Sequence, residues 1–360
     1  MTHPSTTEGK PGSTNAIEEP RVPLRVHAAL WLVQIAFGSQ AVEGKLAMMP
    51  REPASVGGVR GEGMDPVALS LFRMVGGAAV FFLIAFGMSR RRSQMSHTPD
   101  EMLSPALAPF TPRLQLQIAG LAFLGIALNQ SLFLLGLRQT APSNAALLSV
   151  TIPVFTTVLS VFLGQDRLRV RSVVGLSVAS LGVLLLVGVF ANVLTFAAGG
   201  GPLFMPGQFD RGALLVSVNS LSYSLYLVLS RPLFRRHGAS AILPWLFLWG
   251  ALMMLPFGIE KLAELLTTVT PRGMLLLLYI LAMPTVVAYL ANAYALARAT
   301  PMLVTLYIFM QPLLAKVLAY VQLGEPLTMR WVGGAVLIMG GVLVTLGQYP
   351  RFARSTSISS

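Results

Sequence analysis

Ten apolar stretches of roughly 20 residues follow one another along the chain, each long enough as a helix to cross the ~30 Å hydrocarbon core of a bilayer. They lie at 26–48, 67–88, 114–137, 142–163, 172–190, 212–230, 241–259, 273–297, 300–323 and 331–348. Together they leave no room for a soluble domain. In hydrocarbon every backbone donor and acceptor has to be satisfied within the protein, so the expected fold class is an all-α membrane protein with ten transmembrane helices. Composition agrees: only 11% of residues are charged and 54% are hydrophobic, where soluble domains carry about 25% charged residues.

The net charge of +12 does not point to nucleic acid, because the basic residues are scattered through short connections and form no periodic face with aromatics between them. They report orientation. With the N-terminus inside, the inner connections and tails carry sixteen Lys and Arg, among them Arg90, Arg91, Arg92 and Arg167, and the outer ones seven, among them Arg51, Arg60 and Lys261. That bias predicts both termini on the cytoplasmic side. Residues 1–25 and 349–360 are expected as cytoplasmic tails, the first of them disordered, since it is polar and lacks the apolar core of a signal peptide. A multi-pass protein of the cell inner membrane is the expectation.

The chain also repeats itself. At an offset of 159, Pro142 meets Pro301 and Pro153 meets Pro312, and Arg171, Gly175, Gly182 and Gly188 meet Arg330, Gly334, Gly341 and Gly347. Fourteen of the 52 positions over 137–188 are identical at this offset. The repeat divides the chain into halves 26–190 and 212–348, joined by an outer connector over 191–211 that contains AAGGGPLFMPGQFD. Five helices per half is an odd number, so the second half enters the membrane with opposite polarity. Inverted repeats of this kind recur in secondary transporters, with the substrate near the midplane at the repeat interface. If the fourth helix starts at Pro142, then Pro153 lies eleven residues in, about 16 Å at 1.5 Å per residue and so near the bilayer centre. Pro312 has the same depth. The pair reads as hinges or walls of a site, with Ser149 and Ile308 as the residues whose carbonyls lose a helical donor; the alternative is a tolerated packing kink.

The blocks TAPSNAALLSVTIPVFTTVLSVFLGQDRLRVRSVVGLSVASLGVLLL and YIFMQPLLAKVLAYVQLGEPLTMRWVGGAVLIMGGVLV resemble the two halves of the EamA branch of the drug/metabolite transporter superfamily. FGSQAVEGK at 37–45 resembles the family's first-helix motif, with Lys45 as its lysine and Phe37 and Gln40 as departures, and Arg73 matches the arginine early in the family's second helix. In the first half GQD stands where the family has glycine-glutamate, leaving Asp166 to carry that acidic role. The resemblance implies a central cavity lined by the first, third, fourth, sixth, eighth and ninth helices, with the fifth and tenth peripheral. NQSLFLLGLRQTAPSNAALLSVTIP at 129–153 is further similar to plant relatives that move amino acids.

Polar residues inside the spans mark a candidate site. Asn219, Tyr223, Tyr226 and Ser230 share one face of the sixth helix, and Thr285, Tyr289 and Asn292 one face of the eighth. Facing lipid would be costly, so both stripes should face protein or a wet cavity, as substrate ligands or as interhelical hydrogen bonds. Asn129 and Gln130 would add hydrogen bonds from the third helix, and Lys316 a charge attractive to a carboxylate. Glu43 and Arg73 lie at similar depth near the outer side, which suggests an ion pair, and Glu43 is the one carboxylate within a span available for coupling.

There is no cysteine, no HExxH and no histidine or aspartate deep in a span, so no metal, cofactor or intramembrane catalytic set is expected. GSQAVEGKL at 38–46 has the wrong glycine spacing for a phosphate loop, and Leu46 replaces its Ser/Thr. The expected function is a secondary transporter working by alternating access, exporting small amphipathic metabolites such as amino acids. Uptake, drug efflux or a non-transporting scaffold are the alternatives, and a small-molecule solute and the bilayer are the expected partners. A reporter fused after Arg92 should read cytoplasm and one after Arg60 the outside; the reverse result overturns the polarity of the repeats.

Overall fold

The computed structural model describes residues 22–51, 60–95, 110–139, 149, 151–187, 211–323 and 329–347. The expected helix start at Pro142, most of the 1–25 tail, the connector up to residue 210 and the 349–360 tail lie outside them. Ten helices run through the described residues: α1 Leu24–Met48, α2 Pro66–Met95, α3 Pro112–Gln139, α4 Thr151–Phe162, α5 Val170–Val187, α6 Arg211–His237, α7 Ala239–Thr268, α8 Pro271–Leu296, α9 from Pro301 to Leu323 and α10 Met329–Leu346. Five of them, α2, α3, α7, α8 and α9, are long and apolar enough to cross a membrane. α1 and α6 have the length, at 25 and 27 residues, but carry the polar residues that the site uses. Large apolar side chains face outward around the bundle, with Phe162 85% and Leu116 75% exposed; this is a surface made for lipid.

The offset of 159 governs more than sequence. α3 and α8 both open with Thr-Pro-Arg, Thr111 and Thr270 being the caps whose hydroxyls accept from the N–H groups of Leu114 and Gly273, each cap worth about 1 kcal/mol. Each proline follows at the first helical position, where its missing N–H costs nothing. Both helices then wind through a six-residue π turn, Phe123–Leu128 in α3 and Ala282–Val287 in α8, again 159 residues apart. π turns inside α-helices are rare and concentrate at functional places.

Packing obeys the same symmetry. α5 lies on α10 and α2 on α7; α3 and α4 lie on α6, as α8 and α9 lie on α1. Exchanging the halves converts α5–α10 and α2–α7 into themselves and the other pairs into one another. At the α5–α10 crossing Gly175 faces Gly341 and Gly182 faces Gly334, although the sequence offset equates Gly175 with Gly334 and Gly182 with Gly341. Each glycine thus meets the counterpart of its neighbour, which is what antiparallel helices about a two-fold axis must do. Ten helices therefore form two inverted five-helix repeats. In lipid the helices gain nothing from hiding apolar surface, and such small residues supply close backbone contact.

The proline of α9 acts locally. Thr300 caps α9 and Pro301 opens it, so Pro312 sits eleven residues in, as expected. Just before it the helix tightens into a 3₁₀ turn, Tyr307–Met310, and the Gln311 N–H donates to the Ile308 carbonyl. The Ile308 carbonyl is therefore not left without a donor, contrary to the sequence expectation. A proline four residues on removes one donor and pushes against that carbonyl, and the 3₁₀ bond from one residue earlier replaces it.

A Cβ added at Gly175 would lie 2.5 Å from the Gly341 carbonyl oxygen, whereas one at Gly340 meets nothing within 4 Å. Gly175→Ala should lower the melting temperature in detergent by several degrees, while Gly340→Ala leaves it within about 1 °C. Equal melting of the two variants, read by size-exclusion thermal melts, would contradict this crossing.

Candidate functional site

A cavity opens at the centre of the bundle, between a large core cluster containing Leu243, Phe247 and Phe309 and a smaller one of Met64, Leu69, Leu134 and Leu137 at the end where α1 finishes. Its polar lining comes from Gln40, Arg73, Asn129, Gln130, Asn219 and Gln311, with Tyr223 and Tyr289, and its apolar walls from Phe37, Phe133, Ile152 and Ile308. The space open to water is about 60 Å³, room for a handful of molecules. α1, α3, α4, α6, α8 and α9 contribute, as the resemblance implied, and α2 adds Arg73; α5 and α10 are peripheral.

The local geometry around Arg73 begins with Pro284. Its ring leaves the Ile280 carbonyl, four residues back, without the usual donor. The Thr285 hydroxyl donates to that oxygen at 2.9 Å. With its proton committed, Thr285 Oγ1 accepts from Arg73 Nε, also at 2.9 Å. Arg73 Nη2 donates to the Pro284 carbonyl at 3.2 Å and to Gln40 Oε1 at 3.4 Å. The guanidinium, 1% exposed, is held by neutral oxygens from α1 and α8.

The π turn of α3 is used in a matching way. Tyr289 donates its hydroxyl proton to the Gly125 carbonyl at 3.2 Å, and residue 125 equates with 284 at the repeat offset. The Ser222 hydroxyl donates to the neighbouring Leu124 carbonyl at 2.7 Å. Gly125 has no room for a side chain, since the Tyr226 ring occupies that place. Gln130 Nε2 donates to Tyr289 Oη at 3.4 Å. Gln130 and Tyr289 are themselves equivalent positions, so the symmetry axis of the repeats passes between them.

Of the residues singled out from sequence, Asn129, Gln130, Asn219, Tyr223 and Tyr289 line this cavity. Asn129 Nδ2 donates to Asn219 Oδ1 at 2.6 Å. Asn292 and Tyr226 stand one layer behind: Asn292 Nδ2 donates to Tyr223 Oη at 3.3 Å, and the Tyr226 ring stacks on Tyr223 at 5.8 Å. Pro153 and Pro312 are buried, each following a residue of the lining, Ile152 and Gln311. Two expectations fail. The Glu43–Arg73 pair does not form: Glu43 accepts from Gln322 Nε2 at 2.8 Å on the periphery, while Arg73 points inward from its own helix. Lys316 is half-buried and outside the lining. Phe37, Gln40, Phe133 and Gln311 were not foreseen as lining; Phe37 and Gln40 were noted only as departures from a motif.

A second, wider cavity of about 750 Å³ lies at the end of the bundle where α1 begins, among Ile84 and Met88 of α2, Phe234 and Arg235 of α6, and Leu290, Ala293 and Tyr294 of α8. Along α8 it starts within one turn of Tyr289. At that level Tyr289 meets Phe37 and Phe247 edge-on, at 6.0 and 4.9 Å, and Phe247 meets Phe81 at 4.9 Å. At the opposite end the described residues are cross-linked. Lys45 donates to the Leu137 carbonyl at 2.9 Å and Arg51 to those of Glu62 and Thr268 at 3.1 and 2.7 Å, while Asp65 pairs with Lys261 at 3.3 Å and Arg138 at 3.7 Å.

Comparison with known proteins agrees with this architecture. Residues 55–188 and 210–347 each match the EamA-like transporter family. The uncharacterized transporter YdfC of Bacillus subtilis is 26% identical over 284 residues, covering 79% of this chain and 83% of that protein. The uncharacterized inner membrane transporter YedA of Escherichia coli is 28% identical over 255 residues, 68% of this chain and 74% of that one. Protein WALLS ARE THIN 1 of Arabidopsis thaliana is 24% identical over 257 residues, 64% and 66% of the two chains. A crystal structure with 19% identity superposes with a TM-score of 0.62 over 91% of this chain and 98% of that one, a likeness of fold. With both inverted halves matched, the chain belongs to the EamA-like transporter family and is a multi-pass membrane transporter.

Proposed function

We propose that the protein is a secondary carrier that exports small amphipathic metabolites, amino acids among them, by alternating access of the halves 26–190 and 212–348, with both termini cytoplasmic. The observation that carries this reading is the placement of a small, polar, buried cavity on the axis between the halves, with a wide cavity leading to one end of the bundle and hydrogen bonds and ion pairs across the other. On the charge bias of the connections the wide cavity is the cytoplasmic one. A solute entering there meets the aromatic layer of Tyr289, Phe247 and Phe81 before the polar lining. Closing the inner end and opening the outer would move α3–α6 and α8–α1 against each other, with Pro153 and Pro312 as the hinges. Loss of the outer ties is a small cost, since exposed ion pairs contribute about 0–1 kcal/mol each.

The inner end carries its own connection. In the turn after α4, Gln165 Nε2 donates to the Val228 carbonyl at 2.9 Å, and Arg231 of α6 donates to the Gln165 carbonyl at 3.1 Å. Burial pushes the Asp166 carboxyl above the usual carboxylate range; hydrogen bonds from the Thr300 side chain and from the Arg167 and Met302 amides pull it back, as does the charge of Arg231. The turn is thereby tied to α6 and to the start of α9.

Two predictions follow from these contacts. Vesicles loaded with a panel of amino acids, nucleosides and cationic drugs should release some members faster than empty-membrane controls, and Tyr223→Ala or Asn292→Ala should cut that release at least fivefold at unchanged expression. Wild-type rates in both variants would remove the site, and release of no member by the wild type would leave a scaffold. For Asp166, a raised pKa means that its contribution to stability is full below the ordinary carboxylate range and falls as pH rises through the raised value. Asp166→Asn keeps an acceptor without a charge to bury, so its melting temperature should equal or exceed wild type at pH 7. A variant several degrees less stable at pH 7 yet equal at pH 4 would show instead that the charge itself holds the turn.

A further inference from the structure

Two groups in the central cavity have no protein partner. Arg73 uses Nε and Nη2 on Thr285, Gln40 and the Pro284 carbonyl, and its Nη1 bonds to nothing. Among the described residues that line the cavity, Arg73 alone carries a charge, and no carboxylate is among its partners. A cation desolvated in this way and paired only with neutral oxygens is incomplete, and ionisable groups within the membrane mark functional places. Gln130, 2% exposed, supplies the second group. The Tyr289 hydroxyl gives its proton to the Gly125 carbonyl and so accepts from the amide nitrogen of Gln130. In this orientation of the amide, Gln130 Oε1 is without a donor.

One orphaned charged donor and one orphaned neutral acceptor therefore sit on two residues that line a single small space with apolar walls. We propose that Arg73 Nη1 and Gln130 Oε1 are the two ends of a binding site for a carboxylate that bears a hydrogen-bond donor on the adjacent carbon, as α-amino and α-hydroxy acids do. The carboxylate completes the guanidinium by a charge-assisted hydrogen bond, the α-ammonium or α-hydroxyl donates to Gln130, and the side chain lies against Phe37, Phe133 or Ile152. Cationic solutes without a carboxylate are repelled by Arg73. The inference rests on the transport reading only in placing the solute in this cavity.

The test is binding to the purified full-length protein, by thermal shift and calorimetry, with the twenty L-amino acids, the matching 2-hydroxy acids, the amino-acid amides and the carboxylic acids lacking the α-donor as probes. Stabilisation by members of the first two sets is expected, with the corresponding amides and donor-free acids at least tenfold weaker. Arg73→Gln should abolish preference for acid over amide, Arg73→Lys should keep part of it, and Gln130→Met should erase the preference for α-substituted over donor-free acids while retaining the carboxylate requirement. A role for Arg73 confined to joining α2 to α8 would lower the melting temperature of the variants without changing these rankings. Unchanged rankings in folded Arg73→Lys and Gln130→Met, equal binding of acids and amides, or no binding by any probe overturns the proposal. Flux of solutes that ignores both substitutions removes the inference and keeps the transport reading; carboxylate binding with no flux does the opposite.

Discussion

A single missing N–H, that of Pro284, organises the centre of this protein. Hydrocarbon offers no substitute donor, so the Ile280 carbonyl has to be satisfied from within, and the hydroxyl of the very next residue does so. Once Thr285 has spent its proton it can only accept, and Arg73 from α2 answers it. A guanidinium is thereby mounted deep in a membrane protein by oxygens that are all neutral. Arginine suits the place because its fork of donors can serve Thr285, Pro284 and Gln40 together and still present another.

The scaffold around this mount is built twice. α3 and α8 share their capping threonine, first-turn proline and π turn, and α5 on α10 and α2 on α7 each pack a helix on its own counterpart. The duplication sets where the cavity must be, on the axis between equivalent positions 130 and 289. What differs between the copies supplies the chemistry: Gln opposite Tyr, Gly125 opposite Pro284.

Much of the fold was legible in the sequence because length and periodicity suffice for it. Spans read as 67–88, 212–230 and 273–297 appear as Pro66–Met95, Arg211–His237 and Pro271–Leu296, and the polar stripes on α6 and α8 are buried as a 3.6-residue period requires. The misreadings share one cause. Counting residues gives depth along a helix, which placed Glu43 beside Arg73, but it gives no azimuth relative to neighbouring helices. Arg73 in fact reaches Gln40, one turn from Glu43, and Lys316 is not among the residues that line the cavity. The π turns left no residue signature either, although each inserts a step that rotates everything after it, including the segment that presents Asn129 and Gln130.

The hydrogen bond between Gln130 and Tyr289 joins one position to its own image, and this bears on energetics. In a carrier of two identical halves, the inward-open and outward-open forms would be related by the two-fold rotation that exchanges the halves and equal in free energy. Here exchange would ask a glutamine to take the place of a tyrosine and a glycine that of a proline. The two halves are therefore not interchangeable at the axis itself, and under the proposed alternating access the two open forms would differ in free energy, by contacts that the proposed solute at Arg73 and Gln130 would alter. A population shift of this kind needs only differential binding of the two forms.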